Sequence, residues 1–536
     1  MIRIVLLSLL VSLTFYRCGG QKRPNPQPIP QPQPTTSETP TPQPTPSSNP
    51  SPAPSSSPIA FATPYPTPNI DPASYLPPVA PGKTVVVAGD NLSDKLQAAE
   101  DDPAVGTVAI EGGGSFTKQV TFKKHTIFDS STYSCDVQGI TDFGVFEIAD
   151  GVLVEGTWRT PQALLDYFKS GNGHNWQDPF LQKVQALTAE ELAGTGTTIL
   201  EPTFVADFAP LPAIEVFQAL GDSCCSHTDS AKNIAVIGFH IKGRQKVYDG
   251  GVRSTILLGN CEHCTAQNNY LEDTASIGIT AGGSAQEFRK DTPNGVVTMK
   301  DNHAKDVLIW HNITSGVAAA NIASINGENI FIVENYARRP GHTNAILSNG
   351  QESIFGGAVC HVDFESNSEA DHTGGFVFNN LSDYEGAART GNAMCLQDPY
   401  FGVNHHPIIA VNNIIIGGRN DNVNRYMTSG FFLNGLTACY LSNNYVYRTG
   451  QNGIQAHSIK QCVIEDSDFE STGGGGNSTV WMHDGHDNVF RRNNYRERAG
   501  LSINTQAGFE DVCGSGNKFE DNRVLGTVTN AVAKCP

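Results

Sequence analysis

Between residues 441 and 459 the chain reads LSNNYVYRTGQNGIQAHSI: apolar and polar residues alternate, an Asn-Asn pair interrupts them, a turn falls at Gly450, and alternation resumes. Period-two alternation marks short strands with one buried face. The same plan recurs in segments opening at Ala266, Leu308, Phe331, Ala410, Cys462, Val489 and Lys518. Tyr445, Phe469 and Tyr495 stand 24 and 26 residues apart, and Asn312 and Asn335 stand 23 apart. Self-similarity at that period predicts a stack of coils built from short strands, and the strand content excludes the helical repeat classes.

In such a stack, strands of successive coils lie about 4.8 Å apart and equivalent residues sit above one another. An asparagine at the same bend of each coil can bond the backbone of its neighbours and satisfy groups that the bend would orphan. Asn269, Asn312, Asn335, Asn413, Asn444, Asn494 and Asn522 are the expected ladder, with Asp468 in one rung. Their expected role is structural.

This plan resembles the right-handed parallel β-helix of the pectin-lyase-like superfamily. The resemblance implies an all-β solenoid over residues 83–536, with about ten to thirteen coils. The segment from Asp94, DKLQAAEDD, reads as a short helix capping the open N-terminal end. Two regions break the period, at about 155–232 and 350–406, and are expected as insertions. The first contains the helical-looking PQALLDYFKSG and LTAEELAG. Loops projecting from a regular scaffold commonly wall binding grooves.

The first 82 residues change the picture of where the protein works. Arg3 precedes an apolar run, Ile4 to Leu13, which is too short to span a bilayer and reads as part of a signal peptide over 1–17. Cys18 and a Pro/Gln/Ser/Thr tract over 18–82 follow. That order resembles a bacterial lipoprotein, which implies lipidation of Cys18 and an outer-membrane or cell-surface location. Phe15-Tyr16-Arg17 stands where small residues are usual, so a secreted or periplasmic form stays open. The tract lacks apolar residues and is expected to act as a tether.

Beyond residue 82, acidic side chains outnumber basic ones by 20. That excess opposes nucleic-acid binding, which depends on released counterions. The chain is expected to act as a monomer with a polysaccharide partner. Twelve cysteines suit an oxidising compartment. Cys439 could approach Cys462, and Cys513 could pair with Cys535. Cys261-Glu-His-Cys264 reads as structural thiols or a disulfide, because no second ligand pair follows at zinc spacing.

Enzymes of the resembled superfamily largely act on polysaccharides. The polygalacturonase signatures are absent. Val307-LIWHNIT is similar to the pectate lyase strand ending Trp-Ile-Asp-His, but Trp310 stands where the calcium-binding aspartate would be. Calcium elsewhere stays open, and no metal ligand is assigned. Asp484-Gly485-His486-Asp487 resembles the Asp-Pro-His-Asp motif of mannuronan C5-epimerases, with Gly485 for proline and His483 ahead of it. Counted from the glycine-rich turns, His457 falls opposite His483 and Asn504, with Asn349 and Asn434 at matching offsets. Arg339, Arg448 and Arg498 form a second column. The resemblance implies proton abstraction at C5 of a uronate, by elimination or epimerisation. His486, His483 or His457 would carry the proton, Asp484 or Asp487 would orient it, and Arg339, Arg448 and Arg498 would clamp the carboxylate. The competing expectation is a non-catalytic adhesin or carbohydrate-binding module whose polar columns are only a solvated face.

Overall fold

The computed structural model describes residues 69–135, 145–171, 175–202, 217–219, 231–243, 254–259, 261–274, 277–282, 289–292, 295–298, 304–317, 320–325, 327–339, 345–346, 352–353, 360–365, 372–384, 391–398, 404–417, 429–472, 478–496, 506–525 and 531–533, several strands by backbone alone. Cys18 and Arg498 lie outside these residues.

Three long parallel sheets, A, B and C, run the length of the molecule, with 16, 13 and 13 strands. One coil shows how each turn is built: Tyr440–Ser442 in sheet A, Tyr445–Tyr447 in sheet B and Asn452–His457 in sheet C. Every coil repeats this circuit, so the chain is an all-β parallel β-helix.

The corner between sheets A and B explains the asparagine repeat. Asn268, His311, Glu334, Asn379, Asn412 and Asn443 each turn the chain with a positive φ of 49–58°. The next residue then points its side chain into the corner. Asn335 Oδ1 accepts from the Asn312 amide nitrogen at 2.9 Å, while Asn335 Nδ2 donates to Ile309 O at 2.9 Å. Asn269, Asn312, Asn335, Asn380, Asn413 and Asn444 are linked in this way. Three rungs differ from the sequence expectation. Ser467 fills the rung assigned to Asp468, and Asn493 fills the one assigned to Asn494. Asn380 is an added rung. The cause is the same at both shifted rungs: Tyr445 lies in register with Asp468 and Asn494 and not with Phe469 and Tyr495, so a count from the following aromatic runs one residue late.

Inside the cylinder, Phe116, Phe122, Phe128, Tyr133, Phe146, Phe217 and Phe239 pack together in the first coils. Helix α1 (Leu92–Asp101) closes that end by burying Leu92, Leu96 and Ala99. Without it, the aromatic core would meet water through an open end.

The first expected insertion enters at an A-to-B corner. Helices α2 (Gln162–Lys169), α3 (Pro179–Gln185) and α4 (Ala189–Ala193) lie along the outer face of sheet B. Leu164, Phe168, Leu181, Val184 and Leu192 cover Tyr270, Ile313, Tyr336, Leu381 and Ile414. Trp176 stacks on Tyr447 with ring centroids 5.7 Å apart and donates to Glu470 Oε1 at 3.1 Å. Within the second expected insertion, Val362–Glu365, His372–Phe378, Leu381–Asp383 and Met394–Gln397 are ordinary coil strands. Cysteines staple successive turns through Cys439–Cys462 and Cys360–Cys395, while Cys261–Cys264 closes a short loop. Cys513 is also disulfide-bonded.

The end of the tether behaves differently from expectation. Residues Pro72–Tyr75 form a single helical turn, capped by Asp71, against the flank of sheet A. Tyr75 stacks on His263 at 4.6 Å; Gln267 Nε2 donates to Pro72 O at 3.1 Å, and a His263 ring nitrogen meets Ser74 O at 3.0 Å. Burial, reinforced by Asp306, pushes the Tyr75 phenol up to about 12. The folded unit therefore begins before residue 83, because one aromatic in the proline-rich tract finds an imidazole platform. Truncation through residue 68 is expected to leave the melting temperature unchanged. Tyr75→Ala should cost about 1–3 kcal/mol in a denaturant titration.

Candidate functional site on the outer face of sheet C

The three faces of the prism are not equivalent. Helices cover sheet B, and the outer face of sheet A is largely apolar, with Phe378, Ile409, Val411 and Tyr440 buried on it. Sheet C carries polar groups at its outward positions over five consecutive coils.

Alternation places those groups. In Val362–Glu365, Val362 and Phe364 enter the core while Asp363 and Glu365 face outward. Parallel register then carries Asp363 onto Cys395, Phe432, Gln455 and Trp481. Two residues further along the strands, Gln397 lies beside Asn434, Asn434 beside His457, and His457 beside His483. Glu365 occupies the equivalent outward position one coil before Gln397. At the N-terminal side the face turns apolar, with Ala323 and Ile325 outward. The result is a strip parallel to the helix axis with two poles.

The carboxyl pole consists of Asp363 and Glu365. Gln397 Nε2 donates to Asp363 Oδ1 at 3.1 Å. Desolvation raises both carboxyl groups above the ordinary range, and the charge of Asp363 raises Glu365 further. The two titrate as a pair.

The imidazole pole lies about 14 Å away, three strand spacings from Glu365. His457 packs edge-on to Trp481 at 4.9 Å, tilts against Phe432 at 5.6 Å and lies 6.3 Å from the His483 ring. Gln455 Nε2 meets His457 Nε2 at 3.2 Å. Burial, with a smaller push from His483, lowers the His457 imidazole to about 4. His457 is therefore uncharged at neutral pH, while His483 is exposed to solvent.

The epimerase-like tetrapeptide sits just off this face. Asp484 follows His483 with a φ of 58° and turns the chain into the corner between sheets C and A. His486 lies at that corner, paired in register with Lys460 and Ser515. Its Nε2 meets Asp484 Oδ1 at 3.1 Å and its Nδ1 meets Ser515 Oγ at 2.8 Å. Ser458 Oγ donates to Asp484 Oδ2 at 3.1 Å. Asp487 turns away, with a φ of 55°, and its carboxylate lies against Gly516.

The arginine column is elsewhere. Arg339 and Arg448 occupy left-handed positions at the corner between sheets B and C, and Arg448 lies over the Tyr447 ring. The sheet C strand that follows Arg448 is the six-residue Asn452–His457, and His457 stands at its far end. A strand of that length spans about 20 Å, so Arg448 cannot clamp a group held between His457 and His483. The residue beside His483 in the next coil is Val512, and Asn504 and Asn349 lie outside the described residues. The sequence count slipped there because the next sheet C strand is Gln506–Val512, which begins after GLSIN.

Asp363 and Glu365 were missed as site residues, although VDFE carries their signal in its alternation. Among the described residues, the His, Cys, Asp or Glu grouping close enough to hold a metal is Cys360, Asp363 and Cys395. Its two sulfurs are joined in a disulfide, which leaves one carboxylate and no ligand set.

No protein-family model matches the sequence, and no curated protein matches it. Among solved structures, the chain is similar to the A-module of a mannuronan C-5 epimerase from Azotobacter vinelandii: 11% identity, TM-score 0.39, covering 83% of this chain and 94% of that one. It is also similar to the catalytic unit of an alpha-1,3-glucanase from Streptomyces thermodiastaticus, with 12% identity, TM-score 0.39 and coverage of 85% and 71%. A tailspike protein mutant of the E. coli bacteriophage HK620 matches at 13% identity and TM-score 0.39, covering 81% and 64%. All three likenesses are distant.

Proposed function

We propose that this is an exported protein that binds an extended polysaccharide along the outer face of sheet C and transfers a proton at C5 of a uronate unit. The observation that carries this reading is the row of outward groups, Glu365, Gln397, Asn434, His457 and His483, aligned along the outer face of sheet C. Planar amides and imidazoles offer donors and acceptors to sugar hydroxyls, and Phe432 and Trp481 offer apolar ring faces beside them.

Roles follow from environment. His457, uncharged at neutral pH, accepts the C5 proton. His483, open to solvent and on the same side of the sugar, returns a proton to the leaving oxygen in elimination. Asn434 and Gln455 donate to the uronate carboxylate as charge develops on it. No arginine or lysine stands among the described outward residues of sheet C, so amide dipoles replace the expected guanidinium clamp. In the carboxyl pole Glu365, raised to about 8 by desolvation and by the charge of Asp363, keeps its proton at neutral pH and donates a hydrogen bond to a neighbouring sugar, while Asp363 accepts from Gln397.

The test is a panel of alginate, pectate and glycosaminoglycans, followed by absorbance near 235 nm for unsaturated uronates and by NMR for epimerised units. Binding and turnover on one acidic polymer support the reading. Binding in affinity electrophoresis without either product would make the strip a carbohydrate-binding module. No retardation by any polymer would remove the polysaccharide altogether.

A further inference from the structure

The corner residues Asp484, His486 and Ser515 are not used by the strip on sheet C, yet their geometry is that of a hydroxyl nucleophile, a base and an orienting carboxylate. Ser515 Oγ is 2.8 Å from His486 Nδ1, and His486 Nε2 is 3.1 Å from Asp484 Oδ1. The second oxygen of Asp484 is held by Ser458 at 3.1 Å, so the carboxylate is fixed at both ends. A carboxylate at Nε2 holds the proton on that nitrogen and leaves the Nδ1 lone pair facing the serine hydroxyl. This is the nucleophile–base–orienter arrangement, with the imidazole turned so that Nδ1 rather than Nε2 meets the serine.

The backbone fixes the arrangement across two coils. Ser515 N donates to Gly485 O at 3.1 Å and Asp487 N donates to Ser515 O at 2.9 Å, so serine and histidine are held in parallel register. Asn517 Nδ2 donates to Gly485 O at 2.7 Å, and Asn488 Nδ2 donates to Asn517 Oδ1 at 2.9 Å, in a short asparagine ladder beneath the corner. Ser515 is exposed and stands between Gly514 and Gly516, so no flanking side chain covers its hydroxyl. Gly516 has a φ of +71°, and a Cβ there would strike the Asp487 carboxylate, so the glycine is required.

We propose that Ser515, His486 and Asp484 form an ester-hydrolysing site that removes small O-acyl groups from sugar hydroxyls. The Ser515 Oγ electron pair attacks the ester carbonyl carbon while His486 Nδ1 takes the hydroxyl proton. The bond from acyl carbon to sugar oxygen breaks, and that oxygen takes the proton from Nδ1. Water, deprotonated by the same nitrogen, then attacks the acyl-serine, releasing the carboxylic acid and restoring Ser515. Hydrolysis consumes only water. The choice of a sugar ester rests on the polysaccharide reading of sheet C: His483 and Asp484 are consecutive, and Ser458 follows His457, so the corner adjoins the imidazole pole.

The experiment uses the full chain with p-nitrophenyl acetate, then with a chemically acetylated form of whichever polymer it binds. The expected result is ester hydrolysis that falls at least 100-fold in Ser515→Ala and His486→Ala, while turnover of the deacetylated polymer is unchanged in Ser515→Ala. A fluorophosphonate probe should label Ser515, located by peptide mass spectrometry, and should not label the Ser515→Ala variant. Equal hydrolysis by wild type and Ser515→Ala, or labelling elsewhere, overturns the site and leaves the sheet C reading standing. Hydrolysis of p-nitrophenyl acetate without acetate release from the polymer overturns the sugar-ester substrate.

Discussion

Asn335→Ala is expected to destabilise the protein by about 3–5 kcal/mol, the largest single-residue effect among the ladder positions. Asn335 accepts from both the amide nitrogen and Nδ2 of Asn312, and it donates to Ile309 O, Val333 O and Asn380 Oδ1. Alanine removes all of these and leaves donors and acceptors stranded at a corner with no exposure to water. Each buried orphan costs about 1–3 kcal/mol, and part of the sum returns as the corner relaxes. Ser467 shows that a side chain can fill one rung with fewer bonds, accepting from Asn444 N at 3.1 Å. Asn335→Ser should therefore cost clearly less than alanine. Equal losses for both variants in equilibrium denaturation would mean that the corner is held by its backbone alone.

His457→Ala is expected to lower turnover of the acidic polymer by about 10²–10⁴-fold while leaving its affinity within a few-fold. The pH profile gives the sharper reading. A base lowered to about 4 is already unprotonated at pH 5, so the acid limb of kcat/KM should fall near pH 4 and not near 6.5. Above about pH 8 Glu365 ionises beside the already charged Asp363, and the added charge repels a uronate chain, so KM should rise while kcat holds. Glu365→Gln should abolish that alkaline rise in KM. The stability linkage of His457 has the opposite direction from that of the carboxyl pair. Its folded value lies below the unfolded one, so stability present above about pH 6.5 is lost as pH falls towards 4. The raised carboxyl pair contributes stability below its unfolded values and loses it as pH rises through the folded ones. An acid limb at 6.5, or an active alanine variant, would remove His457 from the chemistry.

The architecture was legible in the chain because its determinants are local. A period-two strand followed by a left-handed residue and an asparagine is repeated often enough to define the coil, and 13-stranded sheets follow from stacking it. The ladder was misplaced where it was counted from the aromatics, because Tyr445 lies in register with Asp468 and Asn494 and not with Phe469 and Tyr495. The site was less legible, since it depends on which coil lies beside which. His457 and His483 could be aligned because their strands share a length and a preceding turn. Arg448 and His457 are only nine residues apart, yet a single strand of sheet C separates them across its full width. Nor does any residue count reveal that sheet B would be covered by helices from residues 162–193, which is what singles out sheet C.

The docking of Pro72–Tyr75 on sheet A sets where the cylinder would be held by its N-terminal tract. The chain enters on the flank, beside His263 and Gln267, and not through the capped end at α1. A pull on that tract would therefore act on the side of the cylinder, five coils in, and not on its capped end. Tension along the tract would load one ring stack and two hydrogen bonds sideways, peeling the turn from Asp71 onward before it could pull on any coil. The first thing to yield would be this clasp.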